Sequence, residues 1–457
     1  MGEAQASSEW PQWKRAIARE MDGKISRGVW QVVERPKGKT VLGTRVVFKR
    51  KIDKDGRIEK YKSQASIRMV LGMIAALGWE ARQLDVDMAY LDAEVEEEIY
   101  VELREAYLDS RKQVGLLKKA IYGLVHAGLL WSKQFRIELE AKGFQISQAD
   151  PCVFRRILQG VVVVVIVVYV DDLLVVSATK RDEEQAVRDL CSCFPIKDLG
   201  EASYYLGCDI TRDRNAGTLT FDQHQYIQTM AERFGVTKTS IIPSVAGGKA
   251  LSKSGSPQTD AEVDEMRQIP YREIIGALMW AATMTRPDIS FAVHQLAKFN
   301  DNPGPTHWRA AQKALQYLWR TRDLGITYGG EPGGGIKLSA WVDADYGTCP
   351  DTHHSVSGGA VMMAGGAISW FSRVQKITGA ASSESKNVVL AEMVNELRFL
   401  RQVKDFMTPP IDVAIKIHED NGGTIKMARN RFSSRRMRHV DINITLSATR
   451  SRGGWFT

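Results

Sequence analysis

Two adjacent carboxylates interrupt the most apolar stretch of the chain. Residues 161–177 read V-V-V-V-V-I-V-V-Y-V-D-D-L-L-V-V-S, so Asp171 and Asp172 separate two β-rich runs. Such runs fit strands covered on at least one face, and acids between them fit the tip of a hairpin. An isolated Asp-Asp pair most often marks only a turn. Held on a rigid hairpin, two carboxylates can also bind a divalent cation, and Tyr169-Val170 ahead of them makes the pattern narrower than a bare pair. A further acid, Asp85, ends an alternating apolar stretch upstream, with Tyr90 five positions later. Alone, Asp85 reads as a surface acid at a strand end. Two-metal phosphoryl transfer needs carboxylates from separate strands converging on ions about 4 Å apart, one activating a hydroxyl and the other stabilising the leaving group. Carboxylate oxygens suit hard Mg²⁺.

The elements that must hold these acids are a mixture of helices and strands. The first thirty residues read as a helix with Trp10, Trp13 and Ile17 about one turn apart; strands around 41–52 then end at the Asp53-Lys54-Asp55-Gly56 turn. Residues 67–77 have helical spacing, and after Gly78 the chain enters the strand that delivers Asp85. Helices are expected over 123–143, with Leu129, Trp131, Phe135 and Leu139, and over 180–193 and 222–234. Residues 243–269, rich in Gly, Ser, Lys and acids, form the best linker candidate. Residues 271–324 read as helices whose Trp280, Trp308 and Trp319 suit core positions better than a stacking platform for bases. The Gly-rich stretch 329–335 is a hinge or turn, because it lacks the helix and Lys of a phosphate-binding loop. From Ile336 a strand leads to Asp343-Ala344-Asp345, followed by two strands and a helix.

Composition sets outer bounds. A length of 457 residues with 44% hydrophobic content suits about three globular domains. A net charge of +8 favours a polyanionic partner without demanding one. The five cysteines show no C-x-x-C pair or zinc spacing, which points to free thiols in a reducing compartment. The polar, charged first twenty residues argue against a secretory signal. The uninterrupted apolar run before Asp171 is about half of the ~20 residues a spanning helix needs, which argues against a membrane role.

Further motifs then define a resemblance. Trp30-Gln31-Val32-Val33, V-V-F-K-R-K over 46–51, D-G-R-I-E-K-Y-K over 55–62, Ile121-Tyr122-Gly123-Leu124, Asp198-Leu199-Gly200, Tyr205-Leu206-Gly207 and Arg286-Pro287-Asp288-Ile289 follow one another along the chain. With L-D-V-D-M-A-Y and Y-V-D-D, they resemble the reverse transcriptase portion of copia-type retrotransposon Pol polyproteins. The segments S-V-S-G-G over 355–359, Ile368-Ser369-Trp370, Ser382-Ser383-Glu384, Glu419-Asp420-Asn421 and R-H-V-D-I over 438–442 are similar to the ribonuclease H portion.

The resemblance implies an α/β (α+β) fold: reverse-transcriptase fingers, palm and the start of a thumb over 1–242, then a linker over 243–270. A helical thumb or connection over 271–328 and a ribonuclease H-like mixed-sheet domain over 336–457 would follow. It implies an RNA-directed DNA polymerase whose Asp85, Asp171 and Asp172 hold two Mg²⁺ ions. Tyr90 would exclude a ribose 2′-hydroxyl, and Lys62 would contact the incoming triphosphate. In the last domain Asp343, Asp420 and Asp441 correspond to three of four acids that hold two Mg²⁺ ions and cut RNA in a hybrid. The implied partners are an RNA template, a DNA primer, an RNA–DNA hybrid and deoxynucleoside triphosphates, with no membrane. A cytoplasmic location is expected, a virus-like particle or the nucleus being alternatives.

Three departures from the family pattern bear on activity. The family reads Y-K-A-R-L-V-A and continues for some two dozen residues, whereas Tyr61-Lys62 runs almost directly into Ser66-Ile67-Arg68. The missing Arg belongs to the basic pair that grips the triphosphate, and its loss weakens charge neutralisation and alignment. Where the family has K-Q-x-P-R, the chain has Val125-His126-Ala127-Gly128-Leu129, and His126 reads as an ordinary helix histidine. The family's S-S-T-E-A-E pattern, anchored on Ser382-Ser383-Glu384 and Leu390, puts Lys386 at the metal-binding acid and Glu384 at the first Glu, about half a turn away. A Lys there sets a fixed cation where metal should bind. The expected protein is therefore an impaired polymerase. The competing reading is an inactive remnant that only binds nucleic acid, through basic residues such as Arg429, Arg431, Arg435, Arg436 and Arg438.

Overall fold

The structure is a computed structural model that describes residues 22–43, 60–103, 112–237, 251–330, 335–375, 382–409, 414–422, 424–425 and 444–448. The opening helix with Trp10, Trp13 and Ile17, the 53–56 turn, the Arg429–Arg438 cluster and Asp441 lie outside the described residues. The first sheet contains β1 (Trp30–Glu34), β2 (Val41–Leu42), β4 (Tyr100–Val101) and β5 (Gln113–Leu117), in the order β1-β5-β4-β2.

The second sheet carries the Asp-Asp hairpin. It consists of β3 (Glu80–Val86), β6 (Gln145–Ile146), β7 (Val153–Leu158), β8 (Val161–Tyr169), β9 (Asp172–Ser177) and β10 (Ile196–Glu201), antiparallel in the order β10-β3-β9-β8-β7-β6. The valine run is unbroken because this sheet is buried on both faces; one solvated face would have demanded alternating polar residues. Val165, Val167, Leu174 and Val176 share a core with Ile67, Val70, Leu71 and Ile74 of α1 (Lys60–Leu77). The alternate residues Val164, Ile166, Val168, Leu173 and Val175 share another with Trp131, Phe135 and Leu139 of α2 (Ala127–Ala141) and with Ala186 and Leu190 of α3 (Lys180–Cys193). Thr179 starts α3 by accepting a 3.2 Å bond from the Asp182 amide, satisfying one of the helix's orphan donors. Among the described residues no helix is long and apolar enough to cross a membrane.

The third sheet, β11 (Tyr204–Tyr205), β12 (Cys208–Asp213), β13 (Thr218–Asp222) and β14 (Ile326–Gly329), is left and re-entered by the chain. Between β13 and β14 run α4 (His224–Arg233), α5 (Asp260–Arg267), α6 (Tyr271–Met284), α7 (Ser290–Ala297) and α8 (Pro305–Arg320). Ile227, Tyr271, Leu278, Val293 and Leu315 form the common core of α4, α6, α7 and α8, with Trp308 and Trp319 packed against it. Helix α5 lies inside the stretch read as a linker. Its start is a Thr259/Glu262 capping box, a T-x-x-E signal strong enough to nucleate a helix in sparse apolar sequence.

The fourth sheet is mixed. Its strands β15 (Ser339–Ala344), β16 (Val356–Met363), β17 (Gly366–Val374), β18 (Ile415–Glu419) and β19 (Ile444–Ala448) stand in the order β17-β16-β15-β18-β19. The β15/β18 and β18/β19 pairs are parallel. Helix α9 (Ser382–Met407) joins β17 to β18 and buries Val389, Leu390, Met393, Leu397 and Leu400, spaced by three and four residues along one face.

Arg68 ties the second and fourth sheets together. From α1 its guanidinium donates to the carbonyls of Ile368 at 2.8 Å, Thr283 at 2.7 Å and Met284 at 3.2 Å, and it lies 4.1 Å from the Trp370 ring centroid. Trp370 in turn donates to the Ala282 carbonyl at 2.7 Å. Arg68→Met keeps most of the stem but strands buried acceptors, so urea unfolding should show a loss of about 2–4 kcal/mol. A loss under about 1 kcal/mol would show that the seam does not rest on this residue.

Candidate active sites

The ladder brings two of the sequence-predicted acids face to face. In the β3/β9 pair Asp85 is the direct partner of Asp172, and in the β8/β9 hairpin Tyr169 is the partner of Asp172. Asp171 occupies the turn, where its carbonyl accepts from the Val86 amide at 2.8 Å. All three acids therefore gather at one end of one sheet, each partly exposed. Directly opposed residues of an antiparallel pair project to the same face, so the Asp85 and Asp172 side chains leave the sheet together. Hard carboxylate oxygens on two strands fit an Mg²⁺ ion in donor type. Among the described residues, however, no three His, Cys, Asp or Glu side chains are already gathered as a metal-binding group. The scaffold is in place; the side chains are not drawn together into a finished cluster.

Several residues that sequence reasoning did not single out hold this end of the sheet. Val170 lies in the left-handed region at φ 59°, an unfavourable conformation for a β-branched residue. The Trp131 indole donates to the Val170 carbonyl at 2.7 Å, and the buried Tyr205 hydroxyl donates to the Asp172 carbonyl at 3.3 Å. Burial pushes the Tyr205 phenol well above its ordinary pKa, so it stays a donor. Arg27 reaches the next segment, donating to the Asp87 carbonyl at 3.0 Å and to the Asp92 carboxylate at 3.1 Å. That segment includes Tyr90, whose ring meets Tyr122 edge-on with centroids 4.6 Å apart. Lys62 lies in the first turn of α1. Val125 and Leu129, where the family pattern is basic, are 91% and 69% exposed.

A second acid cluster forms in the fourth sheet. Trp341 of β15 is the parallel partner of His418 of β18, and their rings stack with centroids 4.6 Å apart. Two residues further along each strand stand Asp343 and Asp420. Between them comes the Lys386 ammonium of α9, 3.0 Å from Asp343, hydrogen-bonded to Asp420 and 3.4 Å from Glu419. Glu384 is exposed, so α9 turns Lys386 and not Glu384 into the cluster. Glu419, absent from the residues predicted to act, is the most enclosed acid at 1% exposure. Strand alternation was its signal, because Ile415, Ile417 and Glu419 are the inward positions of β18.

Burial pushes the Glu419 carboxyl up to about 7. Burial also opposes charge on Lys386, but its bonds to Asp420 and Asp343 outweigh that and hold the ammonium above the ordinary lysine value. Asp420 follows the same balance, held below the usual carboxylate range by Lys386 despite partial burial. An ammonium already bonded to the acids does not fit a pair of divalent ions in the same place.

An antiparallel sheet with acids at the end of one strand and on the adjoining hairpin belongs to a polymerase palm of the reverse-transcriptase type. Residues 63–246 match the reverse transcriptase (RNA-dependent DNA polymerase) family, a span that includes Asp85, Tyr90, Asp171 and Asp172. The retrovirus-related Pol polyprotein from transposon TNT 1-94 of Nicotiana tabacum is 31% identical over 94% of this chain and 34% of its own length. That from transposon RE2 of Arabidopsis thaliana is 28% identical over 94% of this chain and 31% of its own length. The putative transposon Ty5-1 protein of Saccharomyces cerevisiae is 31% identical over 69% of this chain and 100% of its own length. The chain belongs to the reverse transcriptase family of copia-type retrotransposon Pol polyproteins, and it spans about a third of the length of the two plant relatives.

Relieving the strained turn tests how the hairpin is held. Val170→Gly should raise stability to urea by about 1 kcal/mol, because glycine adopts positive φ without steric cost. Unchanged or lower stability would show that the turn carries no strain.

Proposed function

We propose that the chain extends a DNA primer on an RNA template with deoxynucleoside triphosphates, as the polymerase portion of a larger polyprotein. The observation that carries this reading is the direct pairing of Asp85 with Asp172 beside the Asp171 turn. Asp85, Asp171 and Asp172 are the residues that would hold Mg²⁺, which supplies activation of the primer hydroxyl and charge neutralisation at the phosphates. Tyr90, whose ring is braced by Tyr122, is the residue that would exclude a 2′-hydroxyl. Lys62 would contact the triphosphate without the Arg that the family pairs with it.

The division into fingers and palm over 1–242, a linker over 243–270, a helical part over 271–328 and a ribonuclease H-like domain over 336–457 is part of the same proposal. The β17-β16-β15-β18-β19 order, with parallel strands on one side of β15, supports the last assignment, as do Asp343 and Asp420 at adjacent strand ends. An RNA–DNA hybrid is the ligand this domain would meet. One observation favours the competing reading of an inactive nucleic-acid-binding remnant: the family match begins at residue 63, directly after the shortened fingers segment.

Primer extension on an RNA template in Mg²⁺ separates the two. Slow, salt-sensitive extension is expected, with Asp171→Asn reducing it at least about 100-fold while the fold persists. No extension, with template binding retained, establishes the remnant. In an extending preparation, Tyr90→Ala should raise ribonucleotide incorporation relative to deoxynucleotides; an unchanged ratio removes Tyr90 from that role.

A further inference from the structure

We propose that Lys386 is a resident counter-ion that takes the place of divalent metal in the last domain, and that Lys386→Glu alone converts the cluster into a cation site. The inference deepens the ribonuclease H-like reading of this domain and rests on it for the expectation about cleavage. An ammonium has three N–H donors, and Lys386 directs its nitrogen at Asp343, Glu419 and Asp420. Its side chain is 9% exposed and Glu419 is 0% exposed, whereas Asp343 and Asp420 remain 59% and 47% exposed. The lysine thus seals the inner end of a cluster whose outer acids still meet solvent.

Lys386 cannot swing away without cost. Ser385 beside it is buried against Ser355 and the Gln375 side chain, and Val389 and Leu390 fix the same face of α9 in the core. Departure of the ammonium would leave Glu419 enclosed without its counter-charge, a situation that strongly favours keeping the pair intact. Glu419 already has one oxygen, Oε2, buried with no hydrogen-bond partner among the described residues. That unused acceptor is what a hard cation would exploit once the lysine is gone. Glutamate at position 386 turns three acids and one cation into four acids on the same scaffold. In the unaltered domain the ammonium already occupies the place between the carboxylates that a cation would take.

The test uses the full chain carrying Asp85→Asn and Asp171→Asn, so that the palm acids do not contribute, and Tb³⁺ as the probe. Trp341, stacked on His418 beside the cluster, is positioned to sensitise Tb³⁺ luminescence. The Lys386→Glu form should show a signal at least about tenfold above its parent, displaced by Mg²⁺ and lost on adding Asp420→Asn. A natively folded Lys386→Glu form that stays dark overturns the proposal, as does an Asp420-dependent signal of equal strength in the parent. Thermal unfolding of that Asp85→Asn, Asp171→Asn parent gives an answer independent of Lys386→Glu. EDTA or millimolar Mg²⁺ should shift its Tm by less than about 1 °C, and a metal-induced rise abolished by Asp343→Asn overturns the proposal. Hybrid cleavage distinguishes the two levels. Cleavage by the unaltered chain that Asp343→Asn abolishes affirms the ribonuclease H-like reading and overturns the lysine's role. Cation binding without cleavage by Lys386→Glu supports the lysine's role and counts against that reading.

Discussion

One buried guanidinium orders the molecule. Arg68 leaves α1 in the middle of a core that joins the β3–β10 sheet to the β15–β19 sheet, and its donors end on three backbone carbonyls of α6 and β17. Burial lowers its pKa to about 10, which still leaves it cationic at neutral pH. A charge so enclosed is tolerable only because its donors are met and its flat face lies on Trp370. Gly72, one turn further along α1, gives the same seam its closeness: a Cβ there would come within 3.0 Å of the Met363 methyl. The helix that covers one face of the palm sheet is therefore also the floor of the last domain.

The two acid clusters solve one electrostatic problem in opposite ways. In the second sheet, carboxylates from two strands and a strained turn gather at one end, partly in water, where their mutual repulsion is screened. In the last domain, an enclosed glutamate and two strand-end aspartates are pulled together by an ammonium from the neighbouring helix. The first arrangement leaves carboxylates arrayed for an added ion. The second is complete as it stands.

Much of this was legible in the chain. The helix over 180–193 and the strands flanking Asp171-Asp172 follow from periodicity and spacing, because those elements bury long, regular apolar faces, whereas the register that turns Lys386 inward comes from the resemblance to the family pattern. The reading of residues 243–269 missed α5, since a capping box can start a helix that few apolar residues announce. The Trp131 and Tyr205 bonds to the hairpin carbonyls, and the Arg27 clamp, join residues 33 to 65 positions apart. No local pattern encodes such partners. Glu419 was hidden differently: its neighbour Asp420 matched a motif, and the motif drew attention from the alternation that turns Glu419 inward.

The shared core has a consequence for which changes the fold absorbs locally. A change at position 386 alters the acid cluster locally and leaves the Arg68 seam untouched. Loss of the whole fourth sheet, by contrast, would uncover α1 at Gly72, where Met363 now packs, and leave Arg68 without the Ile368 carbonyl and the Trp370 ring. A point change in the acid cluster is thus a local cost, and loss of the fourth sheet is a cost to the shared core. The fourth sheet is a wall against α1 as well as the seat of its own acid cluster.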